Sequence, residues 1–400
     1  MSLSVQHLNA DTTFLLAFAP AFAPANFIRR FPGAFTVLLD PWLVGESSIL
    51  HPSFQISHHT AEPSINSLAD LKEEVDLIII SQDKPDHCHR ETLCSLPKHK
   101  RIPILATEAA ANEIRSWMHF DEELIHDIPA YSAKDPDSIV RIDIPAYTST
   151  GKSGEITIAH MPRKRDVTGL HNAIGITYRA PGSILTKNGG TQVDLSDAQT
   201  TSSSQSRPST RSRPSTSTGS RPRTNSTPQQ PSRSLRAVRS LRSLRKQPSL
   251  PSLARKDSAH SSEAPPPLPK APTEPTVSVL YTPHGVSPSL LQSYAKNHLA
   301  PMNALPFTAL FHSFTQETNL WFLGGKVVTG APGGVALVKK YGARRWISAH
   351  DEQKDNKGMS VKWLRTKLHG VGDVQALLDK SGLDCAAVTL GCGGEVRVLG

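Results

Sequence analysis

Cysteine is scarce in this chain. There are four in 400 residues, Cys88, Cys94, Cys385 and Cys392, and none sits at C-x-x-C spacing. That argues against a disulfide-stapled scaffold and points to a reducing, cytoplasmic setting. Long apolar runs are missing too: none reaches the ~18 residues that a membrane-spanning helix needs. The nearest approach, Phe14 to Phe27, has no Lys/Arg stretch before it and is interrupted by Pro20 and Pro24. It reads as a strand and a loop, not as a secretory leader. Between residues 187 and 275 aromatic residues are absent altogether, and 13 of the chain's 32 prolines fall there among Ser, Thr and Arg. Such a stretch cannot bury enough apolar surface to offset its ordering entropy, so disorder is expected.

The rest of the chain lacks a dominant charge sign. The whole sequence carries a formal +9 and a pI of about 9.4, which alone would suggest a nucleic-acid binder. Residues 187–275 hold 15 Lys/Arg against 5 Asp/Glu, whereas the other 311 residues hold 29 against 30. The basic character therefore belongs to one segment, and the near-neutral body offers no basic channel for a nucleic acid.

Strand patterns flank the basic stretch at Ala173–Tyr178 and Val277–Tyr281. Two strands separated by a long loop can still pair, because closure cost grows only logarithmically with length. The expected organisation is one domain in two parts, 1–186 and 276–400, with 187–275 inserted. Further strands are expected at Thr12–Phe18, Phe35–Leu39, Val75–Ile80, Ile102–Ala106, Ile139–Ile144, Glu155–Ala159, Ala309–Phe314, Arg345–Ser348 and Glu395–Leu399. Helices are expected at Asp86–Ser95, Glu108–Met118, Ser289–Ala300, Pro332–Tyr341, Val361–Leu368 and Val374–Ser381.

Polar clusters fall at the strand ends, where an α/β fold places its sites. Asp86, His87 and His89 lie together with Cys88 after the Val75–Ile80 strand. His171 precedes a strand in Gly169-Leu-His-Asn172, His284 follows one in Tyr281-Thr-Pro-His-Gly285, and His350 another in Ile347-Ser-Ala-His-Asp351. Asp and His side chains suit Zn²⁺ or Fe²⁺. The plainer reading gives Asp86 to helix capping and leaves the histidines as surface polar groups. Seventeen histidines make some coincidence easy, but four histidine-bearing strand-end loops are harder to dismiss. Gly324-Gly325 and Gly330–Gly334 lack phosphate-loop spacing and read as turns and a helix start.

Taken in order, these loops resemble the metallo-β-lactamase fold superfamily, and within it the simple metal-dependent hydrolases that include ascorbate-phosphate lactonase-like proteins. The residues that carry the resemblance are Asp40-Pro-Trp-Leu43, the Ser81 to His87 loop, His171, His284 and His350, across roughly 12–180 and 277–355. The resemblance implies a four-layer αββα sandwich and a divalent metal, Zn²⁺ foremost, with one ion favoured over two. Asp86, His87 and His350 would ligate it, with His284 or His89 completing the set and His171 at the family's other metal position. The family loop reads Thr/Ser-His-x-His-x-Asp-His, and here Gln82 and Lys84 replace its first two histidines. A Lys ammonium at that place repels a divalent cation, so Lys84 suits an anionic group of a small-molecule substrate. Acid–base and positioning roles fall to Asp86, His171 or Asp351. The implied reaction is hydrolysis of an ester, lactone or phosphoester by metal-bound hydroxide. Gln82 and Lys84 also leave open an inactive relative that kept the fold as a binding or scaffold protein.

In the insertion, Arg233–Arg245 repeats Arg every three residues with Ser and Leu between. Lys246 precedes Ser249, and Arg255 precedes Ser258, by three residues each, a spacing that basic-directed kinases read. A phosphorylatable loop that docks a regulatory protein is the expected role. A basic amphipathic helix on an anionic membrane comes next, and RNA binding last, since no aromatic is there to stack on bases.

Overall fold

The computed structural model describes residues 1–166, 168–185, 191–193, 273–274, 276–323 and 325–400. All of them belong to one compact unit, Met1–Asp194 with Pro269–Gly400. Leu195–Leu268 lies outside the described residues, and with it the Arg repeat and the serines expected to be phosphorylated.

In chain order the long strands are β1 (Ser2–His7), β2 (Phe14–Ala19), β3 (Phe35–Leu39), β4 (Leu77–Ile80), β5 (Ile104–Thr107), β6 (Ile125–Ile128), β7 (Ile139–Ile144), β8 (Gly154–Pro162), β9 (Asn172–Arg179), β10 (Val277–Tyr281), β11 (Phe307–His312), β12 (Ala343–Ser348), β13 (Ala386–Val388) and β14 (Glu395–Leu399). They build two seven-stranded sheets, ordered β14-β1-β2-β3-β4-β5-β6 and β13-β12-β11-β10-β9-β8-β7. Each is antiparallel at one end and parallel at the other. The parallel runs are β3 to β6 and β10 to β13. The fold is thus mixed α/β with few helices.

Alternation along each strand sorts its side chains to opposite faces. From β2 and β4, Phe14, Leu16, Phe18, Leu77 and Ile79 share one core with Ile156, Ile174, Ile176, Val277 and Val279 of the second sheet. The other face of β4, Ile78 and Ile80, packs with Leu93 of α1 (Arg90–Cys94) and with Ala110 and Ile114 of α2 (Glu108–Ser116). On the far face of the second sheet, Leu280, Leu310 and Trp346 meet Leu337 of α3 (Gly330–Tyr341) and Leu378 of α4 (Val371–Lys380). Strands buried on both faces read as continuous apolar runs, which is why Phe14-Leu-Leu-Ala-Phe and Leu77-Ile-Ile-Ile were legible. No helix among the described residues is long and apolar enough to cross a membrane.

Several elements differ from expectation. The helix expected from Asp86 starts at Arg90, because the N–H groups of His87 and Cys88 turn back onto the Lys84 carbonyl. Val361–Leu368 is not helical. One 3₁₀ turn covers Ser360–Trp363, and Arg365–Lys367 pairs as a strand with Gln316–Thr318. Ser289–Ala300 is a 3₁₀ turn, a short α segment and a π turn over Ala295–Leu299. At the margins of 187–275, Thr191–Val193 pairs with both Ser183–Leu185 and Thr273–Glu274.

Candidate metal centre

The parallel strands of both sheets end at one edge, and the loops that follow them build the site. After β3, Asp40 takes a left-handed backbone (φ 39°), which is sparsely populated outside glycine. Its fully buried carboxylate accepts from the Ser81 N–H (2.7 Å) and hydroxyl (2.5 Å) at the end of β4. It also accepts from His87 Nδ1 (2.7 Å). This fixes the His87 ring and leaves its Nε2 facing His284 Nε2 at 3.3 Å. His284 follows β10 in a turn closed by the Gly285 N–H on the Thr282 carbonyl. His350 follows β12, also left-handed (φ 66°), with its N–H on the Asp11 carbonyl. Its Nδ1 donates to Asp11 Oδ2 (3.0 Å).

One ring nitrogen from each of His87, His284 and His350 falls within 4.8 Å of the others. Asp86 joins them: its Oδ2 lies 3.9 Å from His87 Nε2 and 3.8 Å from His350 Nε2. Four ligands around a tetrahedral ion at 2.0–2.1 Å would stand about 3.3 Å apart. The four side chains therefore sit at, or a little beyond, a metal-holding spacing before any ion draws them in. Asp86 Oδ1 and His284 Nδ1 are buried with no hydrogen-bond partner among the described residues.

The electrostatics fit a cation. Asp11 and Asp40 are fully buried and Asp86 is 16% exposed, while the largely buried ammonium of Lys354 pairs with Asp11 (2.6 Å) and lies over the Trp42 ring. Three carboxylates stand against one ammonium among these imidazoles, so the acids outnumber the fixed positive charge and draw cationic partners, His350 among them. Burial pulls His284 well below the usual imidazole range, helped by His350 and His87, and keeps it neutral as a ligand must be. Burial would likewise lower His350, but the Asp11 carboxylate outweighs it and holds His350 above its ordinary value. Burial would raise Asp86, yet His87, His350 and Lys354 hold its carboxyl below the usual value.

The other expected site residues lie elsewhere. His89 caps α1, its Nδ1 accepting from the Thr92 N–H and its Nε2 donating to the Glu46 carbonyl (3.1 Å). Both His171 nitrogens face carbonyls, Gly285 at 2.9 Å and Lys326 at 2.8 Å. Neither ring keeps a free nitrogen for a metal. His171 instead ties the His284 turn to the Lys326 strand. Lys84 Nζ pairs with its neighbour Asp83 (3.0 Å). Asp351 is consumed by the Ser313 and Ser348 hydroxyls and by the N–H groups of Phe314 and Thr315. Cys88 packs in the apolar layer between β4 and α1, and burial pushes its thiol well up. Sequence reasoning missed Asp11 and Lys354 and used Asp40 only as part of the Asp40–Leu43 element that carries the resemblance, with no role in the site. Lys354, four residues after His350, was the one available hint.

No protein-family model matches the sequence, and no curated protein is similar to it. Solved structures are similar in fold outline at low identity. One is an isothiocyanate hydrolase from Delia radicum gut bacteria, 12% identical, covering 99% of this chain and 98% of that one at a TM-score of 0.44. Another is the metallo-β-lactamase fold protein YhfI from Bacillus subtilis, at 9%, 99% of each chain and 0.40. A third is CmlA, a diiron β-hydroxylase from Streptomyces venezuelae, at 10%, 99% of this chain, 54% of that one and 0.44.

Proposed function

We propose that the protein is a metal-dependent hydrolase on a four-layer αββα sandwich of the metallo-β-lactamase kind. A single divalent ion, Zn²⁺ in first place, would be held by His87, His284, His350 and Asp86. The observation that carries this reading is the convergence of three imidazoles and a carboxylate from three separate strand-end loops, with the buried carboxylates of Asp11 and Asp40 behind them. When bound, the ion supplies Lewis acidity and brings the pKa of water toward neutrality. Asp40 and Asp11 lock the rings of His87 and His350 in the tautomer that points Nε2 at the site. Lys354 holds Asp11 in place and balances its charge. Asp86 Oδ1, free of protein partners among the described residues, can accept a hydrogen bond from water and orient it.

The substrate class is a small molecule with an ester, lactone or phosphoester bond. A panel of such chromogenic substrates, assayed with Zn²⁺-loaded protein and with His284→Ala, tests this reading. Metal-dependent turnover of at least one substrate, lowered about a hundredfold or more in the variant, is expected. Turnover that is absent throughout, or equal in the variant, contradicts it.

A further inference from the structure

Beside the site a hairpin runs from Gln316–Thr318 to Lys326–Val328, and its tip exposes apolar rings. Trp321 is 86% exposed and Phe322 61%, their rings edge to face at 5.6 Å, with Leu320 exposed next to them. The neighbouring Met359 and Trp363 are exposed as well. The two segments are tied together by Asn319 Nδ2 on the Ser360 carbonyl (3.0 Å) and by the pairing of Thr318 with Arg365. Single exposed apolar residues are ordinary, but two Trp, a Phe, a Leu and a Met on two segments tied side by side are not.

Cations border this patch. Between Asp355 and Leu368 stand Lys357, Lys362, Arg365 and Lys367 against one acid, Asp355, which Lys357 already pairs at 2.7 Å. Lys362, Arg365 and Lys367 are exposed, as is Lys326 at the hairpin's return. Aromatic and aliphatic side chains at a tip, with Lys and Arg behind them, match the two faces of a lipid–water interface.

We propose that this tip inserts into the interface of an anionic phospholipid bilayer. Leu320, Trp321 and Phe322 would enter the acyl boundary, and Lys326, Lys362, Arg365 and Lys367 would face the headgroup phosphates. Charge argues against the other occupants. The chain's own insertion is strongly basic, with 15 Lys/Arg against 5 Asp/Glu, and would be repelled by this rim. A second copy would oppose one cationic rim to another. The docking also bears on substrate supply. The hairpin's Lys326 carbonyl is held by His171, which also holds the His284 turn, so a docked tip keeps the candidate metal centre at the membrane surface.

The test uses the full chain and vesicles of phosphatidylcholine with and without phosphatidylserine, some brominated in the acyl chains. The basic insertion could draw the protein to anionic lipid by surface attraction, so quenching of tryptophan by acyl-chain bromine is the deciding readout. Quenching on phosphatidylserine vesicles is expected, with partitioning weakened about tenfold or more in Leu320→Ser/Phe322→Ser, which keeps both tryptophan reporters. Lys362→Glu/Lys367→Glu should weaken partitioning and make it less sensitive to salt than the wild type. These side chains are exposed, and a thermal melt checks that the variants fold. Absence of quenching in the wild type overturns the proposal, as does equal partitioning of the Leu320/Phe322 variant. Capture of an acidic protein without lipid quenching overturns it too. No turnover is measured, so failure here leaves the metal reading intact.

Discussion

A histidine can serve as a metal ligand only when a ring nitrogen is left open toward the ion. That rule separates the five strand-end histidines. His87 and His350 spend Nδ1 on carboxylates and present Nε2 to the site, whereas His89 and His171 spend both nitrogens on local partners. His284 keeps Nδ1 unpaired and buried and turns Nε2 toward His87. Sequence placed all five in the right loops. It could not sort them, because the deciding partners are distant in the chain: the Glu46 carbonyl is 43 residues from His89, and that of Lys326 is 155 from His171. The same rule gives a prediction. Asp40→Asn should keep the fold but present His87 an amide that cannot match the carboxylate, lowering metal affinity about 10–100-fold. Competition against a chromophoric chelator measures this, and unchanged affinity would detach Asp40 from the site.

At the scale of elements, long apolar runs were easy to read and edges were not. Phe35–Leu39, Ile139–Ile144, Val277–Tyr281 and Glu395–Leu399 have the bounds expected of them. β6 was missed because Ile125-His-Asp-Ile128 shows only two apolar residues, and Val361–Leu368 was misread because Val361, Leu364 and Leu368 fall at helical spacing. In the fold, Arg365–Lys367 satisfies its backbone on a neighbouring edge, and Leu368 stays exposed. The π turn Ala295–Leu299 carries a prediction of its own. It presses His298 onto the second sheet, where Nε2 meets the Thr157 hydroxyl at 3.0 Å and burial lowers the imidazole to about 4. The unfolded chain takes up this proton near 6.5 and the folded chain only near 4, so stability is full above pH 6.5 and falls as pH drops toward 4. The loss is about 3 kcal/mol. His298→Gln keeps a hydrogen-bonding group without titrating there. Denaturant melts at pH 7.5 and 4.5 should show a smaller acid loss in the variant, and an equal loss would refute the assignment.

At the scale of the whole molecule, the pairing of Thr191–Val193 with Thr273–Glu274 brings the two margins of the insertion together. The compact unit should therefore close without residues 195–268. Replacing them with a short Gly/Ser linker should leave a folded, metal-binding protein, with stability raised by no more than about 2–3 kcal/mol from the shorter loop. An unfolded product, judged by circular dichroism and thermal melt, would make the insertion part of the fold. The charge split supports the same division, since the near-neutral body owes the chain's basic pI to that segment. The most direct test of the central claim is metal content per chain by elemental mass spectrometry, after Zn²⁺ loading and exhaustive dialysis. The account predicts about one ion per chain in the wild type and in His89→Ala, and a large loss in His284→Ala and His350→Ala. A wild type that retains no metal, or His284 and His350 variants that retain as much as the wild type, would contradict it.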